Sequence, residues 1–150
     1  MAQIKLVYLD VCALSRPFDD QSQMRIQMET TAVNLILAYV RQRKLALITS
    51  PVHDAEIQVI PDKEECTQLQ LLLRNLGQTL SIDLGIARRR AEYFVSQGMG
   101  IADAAHLSYA EQAMADFVSV DDRLLKKASR LSLPIWSGSP LAYCEKENLQ

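Results

Sequence analysis

Residues 100–128 read GIADAAHLSYAEQAMADFVSVDDRLLKKA. Ile101, Ala104, Ala105 and Ser108 recur at helical spacing, and their small size lets such a helix lie close to a sheet. DFVSV at 116–120 is a short run of β-forming residues, nearly continuous in hydrophobicity, as a strand buried on both faces should be. Leu124, Leu125, Ala128 and Leu131 then return to helical spacing. Helix, buried strand and helix in succession is an α/β rhythm, and an acid, Asp121, stands where the strand gives way to the next helix.

The same rhythm runs outward in both directions. IKLVYL at 4–9, LALIT at 45–49, TLSI at 79–82 and PIW at 134–136 are further strand-like runs. Between them, Met28, Ala32, Leu35, Ile36, Tyr39 and Val40 form one helical stripe, and Leu69, Leu72, Leu73 and Leu76 a second, with Gly77 placed to close that helix in a left-handed conformation. Leu84, Ala87, Ala91, Phe94 and Val95 form a third stripe that Gly98 closes, and Ser50-Pro51 starts a short helix over SPVHDAEI. Strands alternating with helices imply right-handed crossovers. The expected fold is α/β: three layers, with a central, mostly parallel sheet of four to five strands and helices on both faces.

At 150 residues and 49% hydrophobic content, with 5 Gly and 5 Pro and no low-complexity tract, the chain is expected to form one domain over residues 1–150. MAQIKLVYLDVC lacks the apolar stretch of a secretory signal, no membrane span is present, and three widely spaced cysteines, Cys12, Cys66 and Cys144, suit reduced thiols. A cytoplasmic location is therefore expected. A net charge of -2 and a pI near 5.7 exclude bulk attraction to nucleic acid, so such a partner would need a local basic patch. Arg123, Lys126, Lys127 and Arg130 supply one at i, i+3, i+4 and i+7, although a solvated helix face would look the same. Arg88, Arg89 and Arg90 read as surface.

In open α/β sheets, sites gather beyond the carboxyl ends of the strands. Asp10 and Asp121 end the first and fourth strand runs, where each is equally explained as a helix cap. Asp103 lies in the first turn of a helix among small and apolar residues; the helix dipole favours it there, and a charge facing the interior would require a partner or a metal. Glu56 follows the second strand, and taken singly it reads as a solvated helix residue. Taken together, four carboxylates converge with no lysine or arginine alternating among them. Such a cluster suits a hard cation such as Mg²⁺ or Mn²⁺.

YLDVCALSRPFDD at 8–20, SPVHDAEI at 50–57 and the 100–128 block resemble the motifs of PIN domains, over nearly the whole chain. The 100–128 block is the most specific, with an acid inside DAAHLSYA and a second one after the next strand. The resemblance implies a Mg²⁺- or Mn²⁺-dependent endoribonuclease with Asp10, Glu56, Asp103 and Asp121 as catalytic residues and Asp10, Asp103 and Asp121 as metal ligands. It further implies the toxin half of a VapBC-type pair, hence an RNA substrate, a small antitoxin partner and a homodimer. Arg123, Lys126, Ser119 and Arg16 are the candidate substrate-binding residues. The pattern departs at Ser119, where many members carry Thr, and at Cys12, where many carry a small or polar residue; Asp122 competes with Asp121 as the fourth acid.

Two other readings remain open. A catalytically silent PIN-like module would bind a protein or RNA partner and cut nothing. An aspartyl-nucleophile phosphatase at Asp10 would want a second Asp where Cys12 stands. His106, three residues after Asp103 on nearly the same helical face, either packs or reaches a phosphate or the Asp103 carboxylate, and Cys12 has no basic neighbour in sequence to activate it.

Overall fold

In a computed structural model, which describes residues 3–150, five parallel strands form one sheet in the order β3-β2-β1-β4-β5. The strands are β1 (Lys5–Leu9), β2 (Leu45–Ile48), β3 (Gly77–Gln78), β4 (Asp116–Val118) and β5 (Ser137–Gly138). Helices α1 (Val11–Ser15) and α2 (Met24–Arg41) join β1 to β2, with a 3-10 turn at Arg16–Phe18 between them. Helices α3 (Pro51–Ile57) and α4 (Lys63–Leu76) lead to β3, α5 (Leu84–Ser96) and α6 (Ile101–Ala113) to β4, α7 (Asp122–Ser129) to β5, and α8 (Pro140–Lys146) follows. The α/β fold with helices on both faces is as expected.

Alternation along β1 divides the core. Val7 and Leu9 pack on one face against Val33, Ile36 and Leu37 of α2, Leu69 of α4 and Tyr143 of α8. Tyr8 points the other way, with Phe117 and Ile48, toward Phe94 of α5, Leu107 of α6 and Leu124 of α7. This period of two is what a strand covered on both sides requires. Among the described residues no helix is long and apolar enough to cross a membrane.

Four local expectations are corrected. The third strand is Gly77–Gln78, and the TLSI run at 79–82 lies beyond it: Thr79 only caps the edge by bonding the Thr49 hydroxyl at 3.0 Å, while Leu80 and Ser81 are exposed. Gly77 does not close α4 in a left-handed turn. It is extended, φ -78° and ψ 150°, and a Cβ there would stand 2.5 Å from the Thr49 methyl and 2.6 Å from the Leu73 carbonyl, so close approach is what requires glycine. The last strand is Ser137–Gly138 and not 134–136: the ladder with β4 runs from the Phe117 N–H on the Trp136 carbonyl to the Ser119 N–H on the Gly138 carbonyl, which puts Ser137 and Gly138 opposite Phe117 and Val118. Arg90 is not a surface residue like Arg88: it grips the buried Glu111.

Candidate active site

β1 and β4 are neighbours, with Leu9 opposite Val118, so Asp10 follows β1 and Asp121 follows β4 at the same carboxyl edge of the sheet. Both acids are helix caps, as the simpler reading held. Asp10 Oδ1 accepts from the Ala13 N–H at 3.0 Å, and Asp121 Oδ1 accepts from the N–H groups of Arg123 and Leu124 at 3.0 and 3.2 Å. Capping uses one oxygen of Asp121, and neither its second oxygen nor the Asp103 carboxylate takes a hydrogen bond among the described residues. Glu56 reaches the same edge from α3, which follows β2, and Asp103 from the first turn of α6. Gly98, at φ +100°, makes the turn between α5 and α6 that permits this.

The electrostatics report the convergence. Asp10 is only 2% exposed, and burial pushes its carboxyl up to about 6; the Asp103 charge adds to this, against hydrogen bonds from Ser119 and Ala13. Asp103 is raised by burial and then by Asp121 and Glu56. Desolvation, followed by the charges of Asp10, Asp103, Glu56 and Asp121, pushes the Cys12 thiol up to about 12. That thiol is no nucleophile at neutral pH.

As placed, no three His, Cys, Asp or Glu side chains among the described residues stand close enough to enclose an ion. The donor set still fits a divalent cation of the Mg²⁺ or Mn²⁺ type. Its donors are carboxylate oxygens, some have no protein partner, and their mutual repulsion is of the kind a cation relieves.

The family model of the PIN domain matches residues 7–131. The chain belongs to the PIN-domain family. Solved structures share the PIN-domain fold: FitAcB from Neisseria gonorrhoeae covers 90% of this chain and 98% of its own, with a TM-score of 0.54 and 16% identity. FitAB bound to an IR36 DNA fragment covers 89% of this chain and 94% of its own, with a TM-score of 0.53 and 16% identity. No curated protein matches the chain in sequence.

Around this PIN-domain site the remaining sequence candidates fall in different places. Ser119 is fully buried, its oxygen accepting the Asp121 N–H at 3.1 Å, and its hydroxyl works against burial on the Asp10 carboxyl, lowering its pKa. Arg16 is engaged by Glu29 at 2.8 Å and by Asp19 at 3.0 Å. Arg123 and Lys126 are exposed on α7, whereas Lys127 donates to the Gly98 carbonyl at 2.7 Å and lowers the Asp103 pKa slightly against the acids around it. Asp122 is exposed and paired with Arg25.

Sequence reasoning had Ser50 as a cap and His106 as packing or reaching a phosphate or the Asp103 carboxylate; it missed that both join Tyr8 in a buried polar layer, with His106 on Glu56 instead. Tyr8, Ser50, His53 and His106 are each 3% exposed or less. Ser50 caps α3, and His53 takes the place of the usual Glu or Gln in the capping box: its Nδ1 accepts the Ser50 N–H at 3.1 Å, and its Nε2 donates to the Leu9 carbonyl at 2.7 Å. Burial holds the His53 pKa down at about 4. The Ser-x-x-His spacing was the available signal, since a ring nitrogen can accept where a carboxylate would.

Proposed function

We propose that this PIN domain is a divalent-metal-dependent endoribonuclease and the toxin component of a VapBC-type toxin–antitoxin pair. The observation that carries the reading is the convergence of Asp10, Glu56, Asp103 and Asp121 from β1, α3, α6 and the end of β4 on one sheet edge, where the Cys12 thiol feels all four. Asp10, Asp103 and Asp121 would hold Mg²⁺ or Mn²⁺. Bound there, the cation would acidify a coordinated water and neutralise charge developing on the phosphoryl oxygens.

The protein's own groups do the rest. The Ala13 N–H orients Asp10, and the α7 cap orients Asp121, so both carboxylates are fixed before substrate arrives. Glu56, half-exposed, orients the attacking water or takes its proton. Arg123 and Lys126 on α7 draw the RNA backbone to an otherwise acidic edge. Met24, Met28 and Leu141 form an exposed apolar patch on α2 and α8, which supports a protein partner there: a small antitoxin, with the toxin itself a homodimer in the cytoplasm.

The test is cleavage of a mixed single-stranded RNA in EDTA, Mg²⁺ or Mn²⁺ by the wild type and by the Asp10→Asn and Asp103→Asn variants. Metal-dependent cleavage lost in both variants is the expected result. No cleavage by folded protein in any metal would favour the silent interaction module.

A further inference from the structure

Beneath the acid cluster, a continuous chain of hydrogen bonds crosses three elements. The Val52 N–H donates to Ser50 Oγ at 3.2 Å, Ser50 Oγ lies 2.8 Å from the Tyr8 hydroxyl, and that hydroxyl lies 2.5 Å from His106 Nδ1. His106 Nε2 bonds the Glu56 carboxylate. Tyr8 also packs against both imidazoles, with ring centroids 4.7 Å from His53 and 5.5 Å from His106.

The protons of this chain can be assigned from the chemistry of its two ends. An ionised carboxylate only accepts, so the nitrogen facing Glu56 must carry the hydrogen. For the neutral ring that leaves Nδ1 as an acceptor, which the Tyr8 hydroxyl fills. Ser50, already accepting from Val52, then donates to Tyr8. Each group has one role: the Glu56 carboxylate sets the hydrogen on His106 Nε2, and the Tyr8 hydroxyl, donating to Nδ1, is the partner that this tautomer requires.

We propose that His106 is a positioning residue: as the Nε2–H tautomer, with its Nδ1 filled by the Tyr8 hydroxyl, it fixes the Glu56 carboxylate at the edge of the acid cluster in the orientation that RNA cleavage requires. The proposal rests on the nuclease reading above. Glu56 sits on α3 with its side chain 38% exposed, and His106 is its sole hydrogen-bond partner among the described residues. Without that N–H, the rotamers of Glu56 are restrained only by solvent. Partners that orient the groups of a metal site typically matter 10- to 100-fold.

The experiment uses full-length Tyr8→Phe, His106→Gln, Glu56→Gln and the double variant Glu56→Gln/His106→Gln. Imidazole ¹⁵N spectra are recorded beside kcat and KM on single-stranded RNA with Mn²⁺. The wild-type spectrum should show His106 with hydrogen on Nε2 and an accepting Nδ1, and Tyr8→Phe, which keeps the ring and removes only the hydroxyl, should shift that Nδ1 signal. His106→Gln should lower kcat ~10- to 100-fold with KM unchanged, and should add less than ~2-fold in the Glu56→Gln background, because a residue acting through another has nothing left to act on. An Nδ1–H tautomer in the wild type, a Tyr8→Phe variant with unchanged spectrum and kcat, or equal His106→Gln losses in both backgrounds would overturn the positioning role and leave the nuclease standing. A folded wild type that cuts no RNA would overturn the nuclease reading and, with it, the use of Glu56.

Discussion

Arg25 of α2 holds Asp122 of α7 by two hydrogen bonds, at 2.9 and 2.8 Å. Both side chains are exposed, and the pair leaves Asp122 facing solvent and α2 while its neighbour Asp121 caps α7 and raises the pKa of Asp103. Adjacent acids are thus committed to different work. Asp121→Asn is expected to lower kcat/KM by at least ~100-fold, since even outer partners of metal sites matter 10- to 100-fold. Asp122→Asn should stay within ~3-fold of wild type, because it breaks only an exposed ion pair. Comparable losses in the two variants would reverse the assignment.

Charge on α7 should act on binding and not on turnover. Arg123 and Lys126 are exposed and make no ion pair among the described residues. Replacing both by Ala is expected to raise KM for RNA, to leave kcat nearly unchanged, and to flatten the dependence of log KM on log salt by about one to two charges. A fall in kcat at constant KM would place these side chains in the chemistry instead.

The buried Asp10 carboxylate costs the metal-free fold stability. Its folded pKa, about 6, lies above the unfolded value of 3.8, so the penalty is absent below pH 3.8, grows as pH rises and is complete above about pH 6. The difference corresponds to about 3 kcal/mol at most. Asp10→Asn in EDTA should therefore melt higher than wild type at pH 8, by roughly 5–10 °C, with the gain vanishing toward pH 4. A lower melting temperature at pH 8 would mean that the lost hydrogen-bond geometry outweighs the relief of charge.

Cys12 offers a reporter that needs no substrate. Its thiol is held up near 12 by desolvation and by the four carboxylates, so alkylation at pH 8 should be slow in EDTA. Divalent cation binding would offset that negative charge, lower the thiol pKa and accelerate labelling. Peptide mass spectrometry can follow Cys12 separately from Cys66 and the buried Cys144. Labelling rates unaffected by Mn²⁺ would place the ion away from Cys12.

Much of this architecture was legible because its signals are local. The continuous apolar run of β1, the small face of α6, and acids placed where strands end all follow from residue type and spacing. The edge strands escaped, since two-residue strands carry no pattern and are set by partners: Thr49 and Gly77 at one edge, Phe117 and Ser137 at the other. Helix α8 carried the Ser-Pro start already recognised at Ser50-Pro51, repeated at Ser139-Pro140, and went unread because its buried face rests on just Pro140, Tyr143 and Cys144. The link from Tyr8 through His106 to Glu56 joins residues far apart in sequence, and spacing within one segment carries no trace of it.

Arg90 and Glu111 make an ion pair whose removal should matter to folding. Glu111 is 5% exposed, and Arg90 grips it with two hydrogen bonds, 2.8 and 2.7 Å, while its guanidinium lies 4.9 Å from the Phe94 ring and 5.2 Å from the Tyr93 ring. The pair ties α5 to α6, the helix that carries Asp103 and His106. Removing one partner strands a buried charge, so Arg90→Ala should cost about 3–5 kcal/mol. Arg90→Lys should restore little, since an ammonium cannot fork onto both oxygens or stack on the rings. Removing both charges, in Arg90→Met/Glu111→Leu, should recover most of the loss, because no unpaired ion then remains buried. Urea unfolding of the four proteins decides it: additive losses in the double variant would show that α5 and α6 are held by packing and that the ion pair contributes little.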